Sequence, residues 1–289
     1  LLVAGENPVR ETTLTDDQRR LEFERARRSR SEEVQTSPRR VYELIRSMIR
    51  RGTATSETAL GEAELVQHLG ASRNAVRRAL QMLADDGVVV RQRRAGTSVL
   101  HDIVAVRDGE VGPRAYEGAA DEGRLRVSNL ECRRISTPPA VQQGLGSDVA
   151  SVLVLEQVGF VGGAPLYLRV GYNVTDLSVE EFLRRIDLNH VHYPPIAQVF
   201  ESLFDAPYGS SSSVVEAVSC EDRAASLLGI SEGSPVLLRE LMTRQTDGTP
   251  RELSFTHFRG DRVAIFGGDH GGQRVVSAGG LADLDLPLP

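Results

Sequence analysis

Apolar positions between residues 38 and 87 recur at helical spacing, and the period then shortens. In SPRRVYELIRSMIRRG, Val41, Leu44, Ile45 and Met48 fall three or four apart, which predicts a helix with one apolar stripe. Ser37 stands as its N-cap, Pro38 takes the first helical position and Gly52 stops it. TSETALG reads as a loop. EAELVQHLG predicts a short second helix with Leu65, Val66 and Leu69 turned inward and Gly70 at the turn. Ser72 caps a third helix running to Asp86, with Val76, Ala79, Leu80 and Leu83 on one side and Gly87 at its end. VVVRQRRAGTSVL then gives two β-rich runs around a basic tip at Ala95-Gly96, a hairpin signal.

The second half carries an internal repeat. LGSDVASVLVLEQVGFVGGAPLYLRVGYNVTD recurs as LGISEGSPVLLRELMTRQTDGTPRELSFTHFRGD, with Leu145 matching Leu228 and Pro165 matching Pro250. Each unit reads as a Leu-Gly helix end, a strand, a Gly-centred turn (Gly162-Gly163 or Asp247-Gly248) and a second strand. Between the units lie two helices, LSVEEFLRRI, capped by Asp176 or Ser178, and PPIAQVFESLF. The strand VVEAVSC and the helix EDRAASLLG precede the second unit. Hairpins with intervening helices predict an α+β domain over residues 125–266. Residues 1–36 mix charges densely and read as a disordered or helical arm. Residues 101–124 read as a Gly-rich linker, and 267–289 as a Gly-rich tail that adds little to the fold.

Charge sharpens this division. The 289 residues carry net charge −6, yet residues 37–100 hold 11 Arg against 6 acidic residues, while residues 101–289 hold 16 against 26. A small basic unit joined to a larger acidic one directs the first alone toward a polyanion. All 34 basic residues are Arg, which fits codon bias better than function. The two cysteines, Cys132 and Cys220, lie far apart, so a disulfide framework is not expected and a reducing compartment is. No apolar run approaches membrane-spanning length and no leader is expected, so no membrane partner is either.

Helix, short helix, tight Gly turn, helix and hairpin are the order of a winged helix-turn-helix. Arg73 and Arg77 share one helical face, as do Asn74 and Arg78. The polar groups crowd the first two turns of the third helix. That end can enter a major groove, where Arg pairs with guanine and Asn with adenine. Ser72 and the free N–H groups at the helix start suit a phosphate oxygen. Arg91, Arg93 and Arg94 at the wing suit phosphate or minor-groove contact, and Arg39 and Arg78 add to the basic face.

The stretch EAELVQHLGASRNAVRRALQMLADDGVVVRQRRAGTSV resembles the winged helix of the GntR family of bacterial regulators, over residues 38–100. The resemblance implies DNA contacts from Ser72, Arg73, Asn74, Arg77, Gly96 and Thr97. Two departures stand out. The family's Leu-Pro-Ser-Glu before the second helix is ALGE here, keeping Glu62, and its Gly-Arg-Gly-Thr wing is RAGT, with Arg94 and Ala95. The second half, from about Arg126 to Phe266, resembles the UTRA effector-binding domain of the HutC subfamily, which is similar in fold to chorismate lyase. That implies a small-molecule pocket and dimerisation, without lyase activity. In sugar-phosphate-binding relatives an Arg-x-Arg pair grips the anion; here those positions are Gln157 and Gly159. Arg169 and Gly171 replace a Glu-x-Ser, and Tyr172 is kept. With Ser211, Ser213, Glu216, Glu252, Ser254 and Thr256, these residues are the pocket candidates, and the effector is expected to be less anionic than a sugar phosphate.

Other chemistry is weak. His190 and His192 stand two apart in a Pro-bounded stretch without a third ligand, GGDHGG lacks the context of a phosphate loop, and the serines at 210–213 read as a flexible connection. No acid, base, nucleophile or cofactor constellation stands out, which sets a ligand-responsive repressor ahead of a chorismate-lyase-type enzyme fused to a DNA-binding module, and ahead of an architectural protein. The expected partners are a double-stranded inverted-repeat operator, a small effector and a second copy of the chain; no cofactor or metal is expected.

Overall fold

The computed structural model describes residues 36–55, 59–92, 96–109, 125–192 and 196–267. The readings of 1–35, 110–124 and 268–289 as arm, linker and tail lie outside them. The first unit follows from its apolar stripes. Helix α1 (Pro38–Arg50) buries Val41, Tyr42, Ile45 and Ile49, and α3 (Arg73–Asp85) buries Ala75, Val76, Ala79, Leu80 and Leu83. The short α2 (Glu62–His68) adds Leu65. Ser72 Oγ accepts from the Ala75 N–H at 3.2 Å and caps α3. Gly70 and Gly87 take φ of +55° and +69°, which lets each preceding helix turn off sharply. Tyr42 donates to Asp86 at 2.6 Å and accepts from Arg46 at 2.8 Å, tying α1 to the end of α3. The wing is an antiparallel pair, β1 (Val89–Gln92) and β2 (Gly96–Val99).

The second unit is a six-stranded antiparallel sheet in the order β4-β5-β6-β9-β8-β7. Its strands are β4 (Leu125–Ser136), β5 (Ser151–Val161), β6 (Ala164–Asn173), β7 (Tyr208–Ser219), β8 (Pro235–Gln245) and β9 (Pro250–Arg259). The repeat appears as two copies of strand, short helix and hairpin: β4, α4 (Pro139–Leu145), β5 and β6, then β7, α7 (Asp222–Leu228), β8 and β9. Both helices end at a left-handed Gly, Gly146 and Gly229, each with φ +63°. Aligning Pro165 with Pro250 makes Val170 equivalent to Phe255, and these two residues pair across the β6–β9 seam. The sheet is therefore pseudo-two-fold symmetric about that pair. Each helix packs on the other half's inner strand. Leu145 and Val141 of α4 meet Leu253 of β9, and Ala224, Ala225 and Leu228 of α7 meet Leu168 of β6. Arg223 on α7 fastens this arrangement with two hydrogen bonds to Glu156 at 2.7 and 2.6 Å.

The opposite face of the sheet carries α5 (Val179–His192) and α6 (Ile196–Phe204), whose Phe182, Ile186, Phe200 and Leu203 pack on Leu153 and Leu155. Ser178 Oγ accepts from the Glu181 N–H and caps α5. That helix continues through His192, so the pair His190 and His192 lies in helix where the sequence reading had a loop. Likewise the four serines read as a flexible connection form the first half of β7, paired with Leu241–Arg244 of β8. A strand edge needs backbone hydrogen bonds rather than β-branched side chains, and β8 supplies them.

The stretch read as a linker contains a strand. β3 (Val104–Arg107) pairs in parallel with β10 (Val263–Phe266) and buries Val106 among Tyr167, Phe258 and Val263. Ile103 packs against the core of the first unit, while Val104, the next residue, packs into the second. The chain thus passes from one core to the other in a single residue step. Val106→Ala should lower the free energy of unfolding by about 2 kcal/mol through lost burial and a residual cavity. Urea denaturation followed by circular dichroism checks this; an unchanged midpoint would mean that β3 does not belong to the fold.

Candidate functional site

Two faces gather the residues singled out in the sequence. On the first, Arg73, Asn74, Arg77 and Arg78 all stand exposed on α3, opposite its buried stripe. The Ser72 hydroxyl accepts the capping bond, which leaves its own hydrogen to donate. Glu62, at the start of α2, lies between recognition helix and wing. Its carboxylate is 3.7 Å from Arg77 Nε and accepts from Arg91 Nη2 at 3.1 Å. Arg91 also donates to Gln81 on α3 at 3.2 Å. Arg91 was expected to join the wing tip; it is instead turned back onto α3, because β1 brings it beside Glu62. Arg39 pairs with Glu43 at 2.7 Å on the exposed side of α1 and stacks over Tyr42. Gly96 has φ +90°, a conformation that favours Gly. The Thr97 side chain is buried, since strand alternation turns it inward with Val99, and the Thr97 carbonyl accepts from the Leu60 N–H. Arg93 and Arg94 lie outside the described residues.

The second face is the side of the sheet beneath α5 and α6. Cross-strand register aligns four residues in a row: Gln157 on β5, Arg169 on β6, Thr256 on β9 and Arg239 on β8. Two rows further along come Asn173, Glu252, Thr243 and Ser211, with Gly171, Ser254, Leu241 and Ser213 between. Period-two alternation therefore gathers Gln157, Arg169, Glu252, Ser254, Thr256, Ser211 and Ser213 on one surface. Arg169 and Glu252 form an ion pair at 5% and 6% side-chain exposure. Gly171 lies beneath it: a Cβ there would stand 3.0 Å from Glu252 Oε1 and 3.2 Å from Arg169 Nη1. Gln157 donates to Asn129 at 2.8 Å and accepts from Arg169 Nη1 at 3.4 Å. Burial pulls the Arg169 guanidinium down to about 10, partly opposed by the Tyr167 phenol, which burial itself pushes up to about 12. The hydroxyls of Thr243 and Thr256 and Arg169 Nε are buried with no hydrogen-bond partner among the described residues.

Two candidates fall elsewhere. Tyr172 lies on the opposite face, where its ring meets Phe255 edge-on at 6.5 Å and packs into the core under α4. Glu216 is exposed on β7, in register with Leu238, on that same opposite face. Each is an odd number of positions from Arg169 or Ser213, so the pleat turns it away. Gly159 has its side-chain space filled by the Tyr167 ring, which leaves no room for an Arg at that position. Arg239, Thr243 and Asn173 join the surface without having been anticipated. Arg239 is fully buried and stacks over Phe258 at 5.0 Å. A charged residue inside the apolar run PVLLRELM was the available signal. Asp108, just beyond β3, accepts from the Ser213 hydroxyl.

A basic helix-turn-helix face and a polar buried sheet surface in one chain define a regulator that reads DNA with one domain and a small molecule with the other. The chain carries a domain of the gntR family of bacterial regulatory proteins, matched over residues 38–99, and a UTRA domain, matched over residues 121–264. It is similar to the histidine utilization repressor of Pseudomonas putida, 29% identical over 209 residues, covering 69% of this chain and 78% of that one. It is also similar to the HTH-type transcriptional repressor NagR of Bacillus subtilis, 25% identical over 230 residues, covering 78% and 91%. Among solved structures it is similar to PhnF from Mycobacterium smegmatis, with 20% identity and a TM-score of 0.49, over 80% of this chain and 99% of that one. These two domains place it with regulators and not with enzymes. Among the described residues no helix is long and apolar enough to cross a membrane.

The orphaned hydroxyls make a prediction for the unliganded protein. Thr256→Val replaces a buried, unpartnered hydroxyl by a methyl group of the same shape, and should stabilise the protein by about 1 kcal/mol. A rise in melting temperature without ligand is expected in differential scanning calorimetry; a fall would mean that the hydroxyl has a structural partner.

Proposed function

We propose that the protein is a repressor of the HutC type that acts in the bacterial cytoplasm as a homodimer on an inverted-repeat operator. It leaves that operator when a small molecule occupies the sheet surface around Arg169 and Glu252. The observation that carries this reading is the junction at Ile103 and Val104, where consecutive residues anchor in the two cores. A change in the sheet can reach the DNA-binding unit there without crossing a loose tether. The repressor reading is further supported by the two repressors to which the chain is similar. Dimerisation fits β7, an edge strand with Val214 and Val215 exposed at 58% and 40%.

Operator contacts are assigned to Ser72, Arg73, Asn74, Arg77 and Arg78, with Arg39, Glu62, Arg93, Arg94 and the wing backbone at Gly96 and Thr97 in support. An effector can release DNA only by favouring the dimer geometry whose recognition helices no longer match the half-site spacing. Coupling of ordinary size would lower operator affinity roughly five- to 150-fold at saturation.

Arg73→Ala and Arg77→Ala should each remove roughly 1–3 kcal/mol of discrimination between operator and random DNA. Arg94→Ala should weaken binding to all sequences and lower the salt slope by about one. Titrations at several salt concentrations, with DNA selected from the promoter beside the gene, read both effects. Full discrimination by the Arg73 variant would remove α3 as the recognition helix. Sedimentation should give a dimer at micromolar concentration, and a monomer with full operator affinity would defeat the two-fold reading.

A further inference from the structure

We infer that the ligand of this surface is a small zwitterion, carrying one carboxylate for Arg169 and one protonated nitrogen for Glu252. This deepens the effector reading above and rests on it. The surface already holds opposite charges in contact: the Arg169–Glu252 pair is buried, lies over Gly171 and sits in the middle of the sheet. Around it stand groups with unused hydrogen-bonding capacity, Arg169 Nε and the hydroxyls of Thr243 and Thr256, at 5%, 1% and 0% exposure. Register puts Thr256 directly across from Arg169, and Thr243 directly across from Glu252. Each charged group therefore has one orphaned hydroxyl beside it.

The three ligand classes differ in what they do to this arrangement. A phosphate ester would bring two negative charges against the buried carboxylate of Glu252, with like-charge repulsion in a poorly solvated setting. A neutral apolar molecule would leave the guanidinium nitrogen and both hydroxyls without partners. A zwitterion exchanges one internal ion pair for two across the interface and leaves the net buried charge unchanged. Its carboxylate takes Arg169 Nε and the Thr256 hydroxyl, and its ammonium takes Glu252 and the Thr243 hydroxyl. Gln157, bound to Asn129 and Arg169, holds the guanidinium in place from the other side. Gly159, its side-chain space filled by the Tyr167 ring, leaves no room for a further cation beside Arg169.

The test is calorimetry and thermal shift on the full-length chain. The probes are the α-amino acids, the matching deaminated acids and decarboxylated amines, and two hexose 6-phosphates. At least one zwitterion should bind, with its acid-only and amine-only counterparts at least about tenfold weaker, the loss of one charge-assisted hydrogen-bonding site. Glu252→Gln should cost that zwitterion about tenfold or more while sparing the acid-only counterpart. Thr256→Val should weaken both zwitterion and acid while leaving the amine-only counterpart unaffected. A hexose phosphate or a plain acid that binds best, with affinity that falls in Thr256→Val, overturns the ligand class and leaves the site standing. Binding of any probe that neither variant alters moves the effector elsewhere and removes the reading of the site itself. Absence of binding across the whole panel also overturns the zwitterion, and the operator titrations then decide the regulator reading on their own.

Discussion

The pairing of β6 with β9 is the constraint from which the second domain follows. It joins two sequence repeats along their inner strands, at Val170 and Phe255, with antiparallel hydrogen bonds from Tyr167–Phe258 to Asn173–Glu252. Because each repeat sends its short helix onto the other's inner strand, neither half can bury its apolar face alone. The pairing also sets the chemistry. Symmetry makes Arg169 the counterpart of Ser254, and Gly171 the counterpart of Thr256. One half supplies the long cation and the space beneath it; the other supplies the hydroxyls and, at Glu252, the anion. A duplicated, symmetric sheet has been made asymmetric at its centre.

The ion pair at that centre is better understood through specificity than through stability. Removing two charges from water costs several kcal/mol per ion on the order of magnitude known for protein interiors, and the attraction between them does little more than repay it. A pair of well-packed apolar residues would serve the fold as well. Keeping Arg169 and Glu252 together, with two buried hydroxyls and a guanidinium nitrogen still unpartnered, leaves the unliganded protein short of its most stable arrangement. Such a deficit suits a group of residues that complete their hydrogen bonding with a ligand.

Much of this was legible in the sequence wherever a residue acts through local geometry. The three helices of the first unit, the Ser72 cap, the Gly turns and the exposed Arg73–Arg78 face follow from helical period and capping. The repeat disclosed the symmetry of the sheet. What escaped is what depends on partners distant along the chain. β4 reads LRVSNLECRRIS, an edge strand with many polar residues and a register shift between Asn129 and Glu131, and it has no clean alternation. β3 is four residues long and finds its partner strand only at the far end of the fold. Face parity was the other blind spot. Tyr172 and Glu216 lie in the same strands as Arg169 and Ser213, yet one position along the pleat separates the polar rows beneath α5 and α6 from the face that carries α4 and α7.

The same parity governs how the two domains can influence each other. Beside the polar rows, this sheet face continues into Gly159, Tyr167, Phe258 and Leu237, and there it meets Val106 and Val263 of the β3–β10 pair. Arg239 spans the two regions, aligned with Thr256 in the polar row while its guanidinium lies over Phe258. From Val106 the path back along β3 reaches Val104 and then Ile103, which packs in the DNA-binding core. At the other end of β3, Asp108 holds Ser213 on β7, two strands across the sheet from Ser254 in the same row. A displacement of Arg239 or of the hydroxyl rows therefore bears on both ends of a single short strand. β3 follows the wing strand β2 after only four residues, 100–103, the last of which, Ile103, packs on the first core.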